Sequence, residues 1–405
     1  MEYARRWDGD FTLEAQVIPD LSSDPIPEEK SISDKTKVVI EAHDFGGSLP
    51  LPHYGYRRPE VDYFQSNLMQ HNFVLCDVVT QKHTIYFYDE RSQGKGADAC
   101  CSMRMWYTLQ KLSTLREEGL CPKKDVALMV LMDNCSGQNK SKVTLQFFGF
   151  LSLLYKKVIL FYFIRGHTKM ICDRVVAHWR AAIKCLNLYC LDEIVERVAT
   201  VKSLYPEHLQ NTRNASPCRS GWDRVLSKFI RKMPPGYTKN YFFSIEDGVV
   251  SFKHIATTPD DASCSFTIFQ DVELTRKKVC SALFGHSDLR LLEFAQLALA
   301  LTTPRKLSVK KLVSIAKKYP TIPNKYLTHY PSISEEVKTI IDRDVEEKED
   351  LQEVKQKISR KRKKKRSGKN MDKPILKKAR VGRPKKAKPV AARVTQDDIL
   401  RFFGK

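Results

Sequence analysis

Three aspartates occupy positions where carboxylates could take part in phosphodiester chemistry. Asp133 ends a continuous apolar run, residues 125–132, and a Cys-Ser-Gly turn follows it. Asp44 ends a β-branched run, and Asp173 lies in a stretch of helical spacing after a third apolar run, 158–164. The C-terminal ends of strands are where open α/β sheets bind ligands. Taken alone, Asp133 could equally be the cap of the helix that follows.

Carboxylates that converge from neighbouring strands can hold two Mg²⁺ or Mn²⁺ ions about 3.5–4 Å apart. Such ions neutralise the charge at the attacking and leaving oxygens, and they relieve the mutual repulsion of three anions. We therefore expect two Mg²⁺ or Mn²⁺ ions as cofactors. Asp77, Asp89 and Glu90 also lie within or at the end of strand-like runs, so each competes with Asp44 for a place in the triad.

The elements that must position these acids follow from hydrophobic patterning. Runs at 37–44, 73–79 and 83–88 have strand composition, and residues 97–118 have helical spacing. The strands at 125–132 and 158–164 then alternate with helices predicted at 144–154 and 170–188. This βββαβαβα order predicts an α/β fold with an RNase H-like mixed five-stranded sheet flanked by helices.

Three sequence blocks carry a family resemblance: D-N-C-x-G-Q-N-K at 133–140, G-H-T-K-x-x-x-D at 166–173 and D-F-x-x-x-L-P-L-P at 44–52. Together they resemble a transposon-encoded, transposase-like family of unknown function, over residues 37–333. The resemblance implies a polynucleotidyl transferase with a DDE/DDD-type core. Asp44, Asp133 and Asp173 would be its catalytic residues and metal ligands, and DNA its substrate.

Residues beside the acids admit two interpretations each. His167 follows the fifth strand and would bind a phosphate or orient water, or it is an ordinary turn residue. Gln138, Asn139 and Lys140 would contact the DNA backbone, or they form the exposed start of a helix.

Charge divides the chain unevenly. The net charge is +22, and residues 354–393 contain 13 Lys and 6 Arg against one acid, which gives +18 and leaves +4 for the rest. A basic tail on a nearly neutral body favours a polyanion partner. The predicted segments are a flexible N-terminus (1–35), the catalytic core (36–190), an α+β and helical appendage (191–333), an acidic helical linker (334–353), the disordered basic tail (354–393) and a terminal motif (394–405).

The tail contains two basic motifs. One predicts a nuclear-localisation signal, and hence a nuclear protein, from the run Arg360, Lys361, Arg362, Lys363, Lys364, Lys365 and Arg366. The other resembles an AT-hook, a DNA-binding motif for A·T-rich minor grooves, through Arg380, Gly382, Arg383, Pro384, Lys385 and Lys386. Val381 interrupts the usual Arg-Gly-Arg-Pro core, so a generic basic linker is the alternative.

The last residues have the spacing Q-x-x-I-x-x-F-F, formed by Gln396, Ile399, Phe402 and Phe403. This spacing resembles the peptide that binds the PCNA sliding clamp, in which one helical turn inserts apolar side chains into a pocket. A frayed amphipathic terminus is the alternative.

The eleven cysteines form no C-x-x-C pair and have no companion His spacing, so we expect reduced core residues of an intracellular protein and no structural zinc site. No signal peptide and no membrane-spanning helix are predicted.

The leading functional hypothesis is a metal-dependent transposase-like nuclease, compatible with a homo-oligomer. The alternatives are a nuclease acting on RNA or hybrids, and a domesticated, catalytically inactive protein that binds chromatin and recruits the clamp. The last is motivated by the lack of an evident DNA-binding domain upstream.

Overall fold

The computed structural model describes residues 36–164, 170–209, 221–227, 230–231, 233–255, 264–269, 271–275, 277, 306–347 and 355. The chain divides into two compact units, Met1–Asp342 and Arg343–Lys405. Asp44, Asp133 and Asp173 all lie in the first unit.

The described residues of this unit form twelve strands. They are β1 (Lys37–Phe45), β2 (Leu49–Leu51), β3 (His53–Tyr54), β4 (Leu68–Asp77), β5 (His83–Asp89), β6 (Val126–Met132), β7 (Lys157–Tyr162), β8 (Asn187–Leu188), β9 (Leu204–His208), β10 (Phe242–Glu246), β11 (Val249–Lys253) and β12 (Cys264–Thr267). The helices with defined ends are α1 (Glu60–Phe64), α2 (Ala97–Glu117), α3 (Pro122–Asp125), α4 (Lys142–Leu151), α5 (Ile171–Ile183), α6 (Leu191–Ala199), α7 (Trp222–Leu226) and α8 (Val309–Ala316). Three short 3₁₀ segments also occur, Tyr237–Lys239, Tyr319–Thr321 and Asn324–His329.

The centre of the main sheet has the five strands expected from the sequence, in the spatial order β5-β4-β1-β6-β7. β1 pairs antiparallel with β4, and β4 pairs antiparallel with β5. β1 pairs parallel with β6, and β6 pairs parallel with β7. The predicted fold class, a mixed α/β sheet flanked by helices, is therefore confirmed.

The sheet extends beyond this centre to ten strands. β10 pairs antiparallel with β7 and leads to β11 and β12, while β9 pairs parallel with β5 at the other side. The turn between β10 and β11 is Asp247-Gly248, with φ of 45° and 78°. Positive φ at both central residues gives a turn whose twist matches a hairpin, which is why Asp-Gly predicts one here.

The central strands are buried on both faces because helices cover both sides of the sheet. All seven residues of β6 are buried. On one face Leu128 and Val130 join a core that includes side chains of α2 and α4. On the other face Met129 and Leu131 join a core that includes side chains of α5 and α6. A strand covered on both faces reads as a continuous apolar run rather than an alternating one.

Two predicted boundaries differ most from the structure. β4 begins at Leu68 rather than at residue 73, because the polar side chains of Gln70 and Asn72 are buried within it. α5 ends at Ile183 rather than at residue 188, because Leu188 pairs with His53 in a small two-stranded sheet. Within the described part of the chain, no helix is long and apolar enough to cross a membrane.

Candidate active site

Asp44 and Asp133 lie side by side at one end of the sheet. β1 and β6 run parallel, and the last residues paired between them are His43 and Met132. One step further in the same register, Asp44 lies level with Asp133. Neighbouring strands are about 4.8 Å apart, and level side chains on them point to the same face of the sheet. The register of two parallel strands therefore brings these two carboxylates together.

Asp173 is the third residue of α5, the helix that packs on the same face of the sheet. One carboxylate oxygen accepts a hydrogen bond from the backbone N–H of Met170 at 2.9 Å, which caps the helix. The helix-cap role raised as an alternative for Asp133 belongs instead to Asp173, since the helix after Asp133 is capped by Ser141. The capping bond uses one oxygen of Asp173 and leaves the other available. The side chain of Asp173 is exposed at the edge where the core strands end.

The pKa of Asp44 reflects both its burial and the charges of the two neighbouring acids. The pKa of Asp44 is raised to about 7, mainly by burial and next by the negative charge of Asp133. A hydrogen bond from the backbone N–H of Phe45, at 2.8 Å, lowers this pKa, and the charge of Asp173 raises it again. Like charges held this close disfavour simultaneous ionisation. The site is therefore one in which a cation would relieve repulsion.

Asn139 holds the Asp133 carboxylate in place. Its side-chain amide donates a hydrogen bond to Asp133 Oδ1, and its side chain is completely buried. The amide oxygen accepts from the Cys100 thiol at 3.6 Å, and its backbone carbonyl accepts from the Tyr162 hydroxyl at 3.0 Å. A second bond to Asp133 Oδ1 comes from the backbone N–H of Cys135 at 3.3 Å. The orientation of Asp133 is consequently set by a buried network rather than by solvent.

Two of the residues after Asp133 fit neither a DNA contact nor an exposed helix start, the two roles that the sequence indicates. Lys140 is 3% exposed, and its ammonium group lies over the rings of Tyr162 and Tyr241, at 5.0 and 4.4 Å from their centroids. Asn139 is buried as described. Gln138 is partly exposed, and the helix itself begins after Ser141, whose hydroxyl accepts the Thr144 N–H at 3.1 Å.

Lys95 is a positively charged neighbour of the acids that the sequence did not reveal. Its ammonium group donates to the backbone carbonyl of Gly46 at 3.2 Å. Burial lowers the pKa of Lys95, while the charge of Asp44 raises it and the charge of Arg180 lowers it. Arg180, from α5, donates to the next carbonyl, that of Gly47, at 2.6 Å. Two cationic side chains therefore border the segment that follows Asp44.

Gly46 occupies a position that has no room for a side chain. A Cβ there would lie 1.9 Å from Oδ1 of Asn72, a buried residue of β4. The Asn72 amide in turn donates to the Gly47 carbonyl at 3.0 Å. The close backbone approach explains why glycine follows the Asp44-Phe45 pair.

The three competing acids are engaged in ion pairs of their own. Asp77 accepts from the Lys111 ammonium at 2.7 Å and from the N–H of Thr80 at 2.8 Å. Asp89 pairs with Arg91 at 2.6 Å, and Glu90 pairs with Lys311 at 2.6 Å. Each is neutralised locally, unlike Asp44. This favours Asp44 as the first acid of the triad.

The donor set fits a hard divalent cation. All three side chains offer carboxylate oxygens, the ligands that Mg²⁺ and Mn²⁺ prefer. The oxygens of the three described aspartates do not all lie within 4.8 Å of one another.

Several predicted residues lie outside the described part of the chain. They are His167 and the tail motifs at 360–366, 380–386 and 396–403. Their assignments stay predictions.

Residues 66–254 are similar to a family described as a domain of unknown function, DUF7869. The similarity covers less than half of the chain. It includes Asp133 and Asp173 but not Asp44. No match is found among curated proteins.

Two solved structures show a distant likeness. One, entitled "Crystal structure of NurA with manganese", is 11% identical with a TM-score of 0.15, covering 69% of this chain and 63% of that chain. The other, "Crystal structure of NurA", is also 11% identical with a TM-score of 0.14, covering 85% and 73%. TM-scores this low carry no weight for fold or function.

Proposed function

We propose that the chain is a transposase-like, metal-dependent enzyme that cuts or joins DNA strands, with Asp44, Asp133 and Asp173 as its catalytic residues. The observation that carries the proposal is the level position of Asp44 and Asp133 at the ends of parallel strands. Asp173 lies close enough for its charge to raise the pKa of Asp44. The five-strand order at the centre of the sheet and the three sequence blocks support the same assignment.

Asp44, Asp133 and Asp173 would hold the two Mg²⁺ or Mn²⁺ ions, which when bound neutralise charge on the attacking and leaving oxygens of an in-line displacement. The protein's own part is positioning. The Asn139 side-chain amide holds the Asp133 carboxylate by a hydrogen bond, and the backbone N–H of Met170 holds the Asp173 carboxylate in the same way. Lys95, beside Asp44, supplies a positive charge suited to a backbone phosphate.

A cleavage and strand-transfer assay on the full chain tests this proposal. Asp133→Asn should reduce Mn²⁺-dependent activity by about 10²-fold or more, because several kcal/mol of transition-state stabilisation depend on bound metal. Asp125→Asn is the matched control, since Asp125 precedes the other end of β6 and accepts the N–H of Cys121 at 2.7 Å. Equal activity in the two variants would overturn the proposal.

The same assay separates the substrates that the sequence left open. DNA, RNA and hybrid duplexes are compared at one Mn²⁺ concentration. Cleavage of RNA or hybrid duplexes without cleavage of DNA would show that the enzyme is instead a nuclease acting on RNA or hybrids.

The second candidate is a catalytically inactive, transposase-derived protein that binds chromatin through its tail. The charge of +18 in residues 354–393, set against +4 elsewhere, favours it. Mn²⁺ titration of the purified chain distinguishes the two candidates. Binding that Asp133→Asn abolishes supports the enzyme, and no binding at the aspartates supports the inactive protein.

DNA binding by the basic tail is proposed in either case, together with a nuclear location. Neutralising phosphates releases counterions, so log affinity should fall linearly with log salt, with a slope of about −0.9 per phosphate contacted. Deleting residues 354–393 should flatten that slope. An unchanged slope would mean that residues outside 354–393 make the DNA contacts.

A further inference from the structure

A second group of metal-ligating side chains shares no residue with the three aspartates. Cys190, Asp192 and His329 offer a thiol sulfur, a carboxylate oxygen and an imidazole nitrogen, all within 4.8 Å of one another. Cys190 is buried, Asp192 is partly buried and His329 is exposed. The group is therefore enclosed on one side and reachable from solvent on the other.

We propose that these three residues bind Zn²⁺. Zn²⁺ binds thiolate and imidazole ligands well, whereas the hard cations Mg²⁺ and Mn²⁺ prefer oxygen ligands. The all-oxygen set of the aspartates has the opposite preference. The chain would therefore carry two sites for two different classes of metal, and the zinc site does not depend on the proposed catalytic activity.

The spacing of the ligand atoms suits this ion after a small adjustment. Zinc bonds of about 2.0–2.3 Å in a tetrahedron place ligand atoms about 3.3–3.8 Å apart. The present separations are at most 4.8 Å, so about 1 Å has to close. Rotation of the exposed His329 ring can supply most of it, because that side chain is 40% exposed.

The start of α6 places two of the ligands close together, because Cys190 is the N-cap of this helix. Asp192 lies in the first turn, where its Oδ1 pairs with the His208 Nδ1 at 2.7 Å. A hydrogen bond of this kind orients a ligating carboxylate. Oδ2, on the other side, is 3.7 Å from Nδ1 of His329.

The backbone around His329 is held by contacts that need no metal. The Arg91 guanidinium donates to the His329 carbonyl at 2.8 Å. The next residue, Tyr330, donates its hydroxyl to the Tyr189 carbonyl at 2.6 Å, and the Tyr326 ring stacks on Tyr189 at 5.1 Å. These contacts bring the Asn324–His329 segment to the start of α6 before any ion binds. Zinc would therefore clamp a preformed junction rather than drive folding.

Cobalt(II) titration of the full, metal-stripped chain tests the proposal directly. Bound to a thiolate in tetrahedral geometry, Co²⁺ shows visible ligand-field bands and a near-ultraviolet sulfur-to-metal charge-transfer band. We expect one equivalent to produce both, and Zn²⁺ to displace it. Cys190→Ser should remove the charge-transfer band, and Cys185→Ser, at an exposed cysteine nearby in sequence, should leave it intact.

Three further variants test the site more closely. His208→Gln should weaken Zn²⁺ binding about 10-fold by loosening Asp192, and His329→Gln should weaken it by about 10²-fold or more. Asp133→Asn should leave Zn²⁺ binding unchanged, which separates this site from the proposed catalytic one. If Cys190→Ser fails to fold, the Zn²⁺ affinity of His329→Gln tests the proposal instead, because His329 is exposed. Absence of the charge-transfer band in the unmodified chain, or unchanged Zn²⁺ affinity in His329→Gln, overturns the proposal.

Discussion

The side-chain amide of Asn139 donates a hydrogen bond to the Asp133 carboxylate from a completely buried position. A buried amide whose remaining polar atom is also bonded cannot easily turn away from its partner. Asn139 therefore acts as a positioning residue for the central acid of the proposed triad.

Asn139→Ala should weaken the apparent Mn²⁺ affinity of the enzyme by about 10- to 100-fold, the usual effect of losing a residue that orients a metal ligand. Raising the Mn²⁺ concentration should restore part of the activity. Asn134→Ala, in the same turn, is the control and should leave the Mn²⁺ dependence unchanged. An activity loss in Asn139→Ala that no Mn²⁺ concentration relieves would point to damage of the fold instead.

Asp44→Asn should stabilise the metal-free protein. The pKa of Asp44 is raised to about 7 from 3.8, so ionisation costs folding free energy that grows as pH rises from 3.8 to 7. Each pKa unit corresponds to about 1.4 kcal/mol, so we expect the free energy of unfolding at pH 7 to rise by about 1–4 kcal/mol.

Urea unfolding of Asp44→Asn and the unmodified chain, with and without Mn²⁺, measures this effect. Mn²⁺ should stabilise the unmodified chain and have little effect on the variant. A variant less stable than the unmodified chain without metal would show that repulsion among the aspartates is not significant.

Acidification should destabilise the fold through His71. The pKa of His71 is lowered to about 4, mainly by burial and next by the charge of Lys95. An unfolded chain, with an ordinary pKa near 6.5, binds the proton more readily, so stability is lost as pH falls from 6.5 towards 4. At pH 5 the loss from this residue should be about 1–2 kcal/mol.

His71→Gln is the variant for this measurement, because its amide can still bond the Ser48 hydroxyl that lies 2.8 Å from Nδ1 of His71. The free energy of unfolding should then depend less steeply on pH between 6.5 and 4. His254→Gln, at an exposed histidine, is the control. Identical pH profiles for His71→Gln and the unmodified chain would contradict the prediction.

The buried ion pair between Glu41 and Arg104 should be costly to break on one side. Both side chains are 1% exposed. Burial raises the pKa of Glu41 even though Arg104 lowers it. Arg104→Met leaves a buried carboxylate without its partner, so we expect a loss of about 3–5 kcal/mol in the free energy of unfolding.

The double variant Glu41→Leu with Arg104→Met should recover most of that stability, because it removes both charges. Chemical denaturation of the single and double variants completes the cycle. Additive losses would mean that the two side chains do not interact energetically.

A peptide of residues 394–405 should bind the sliding clamp with an affinity on the order of micromolar, because the entropy lost in ordering a short peptide offsets part of the contact energy. In calorimetry with a peptide of residues 394–405, replacing Phe402 and Phe403 by Ala should each cost about 2 kcal/mol or more. Leu400→Ala, an apolar position outside the spacing, should cost much less. If the Phe402→Ala/Phe403→Ala peptide binds as tightly as the native peptide, the Q-x-x-I-x-x-F-F spacing is not a clamp-binding motif.

Local patterning determined the centre of the fold. A continuous apolar run such as 125–132 is specified by its own composition, because a strand buried on both faces needs apolar side chains throughout. The alternation of such runs with helical periodicity then predicted the mixed sheet. The same reasoning placed Asp44 and Asp133 at strand ends, since Asp133 directly follows the last apolar residue of its run and Asp44 follows Ala42 and His43.

Long-range contacts decided the roles of the residues around those acids. Asn139 and Lys140 are polar, and sequence alone favours exposure for both. They are buried because Tyr162 and Tyr241, from distant segments, pack against them. Lys95 precedes a helix with no motif of its own, and it reaches the site because Gly46 offers a carbonyl there.

The sequence by itself therefore determined the core strands and the aspartates that end them, because both depend on residues close together in the chain. It predicted no zinc site, since Cys190 and His329 have no ligand spacing between them. Tertiary structure alone brought these two together, when the segment around Tyr326 packed against Tyr189 beside the first turn of α6. Ligand geometry depends on distances in space, and spacing along a chain reports those distances only within a turn or a single helix.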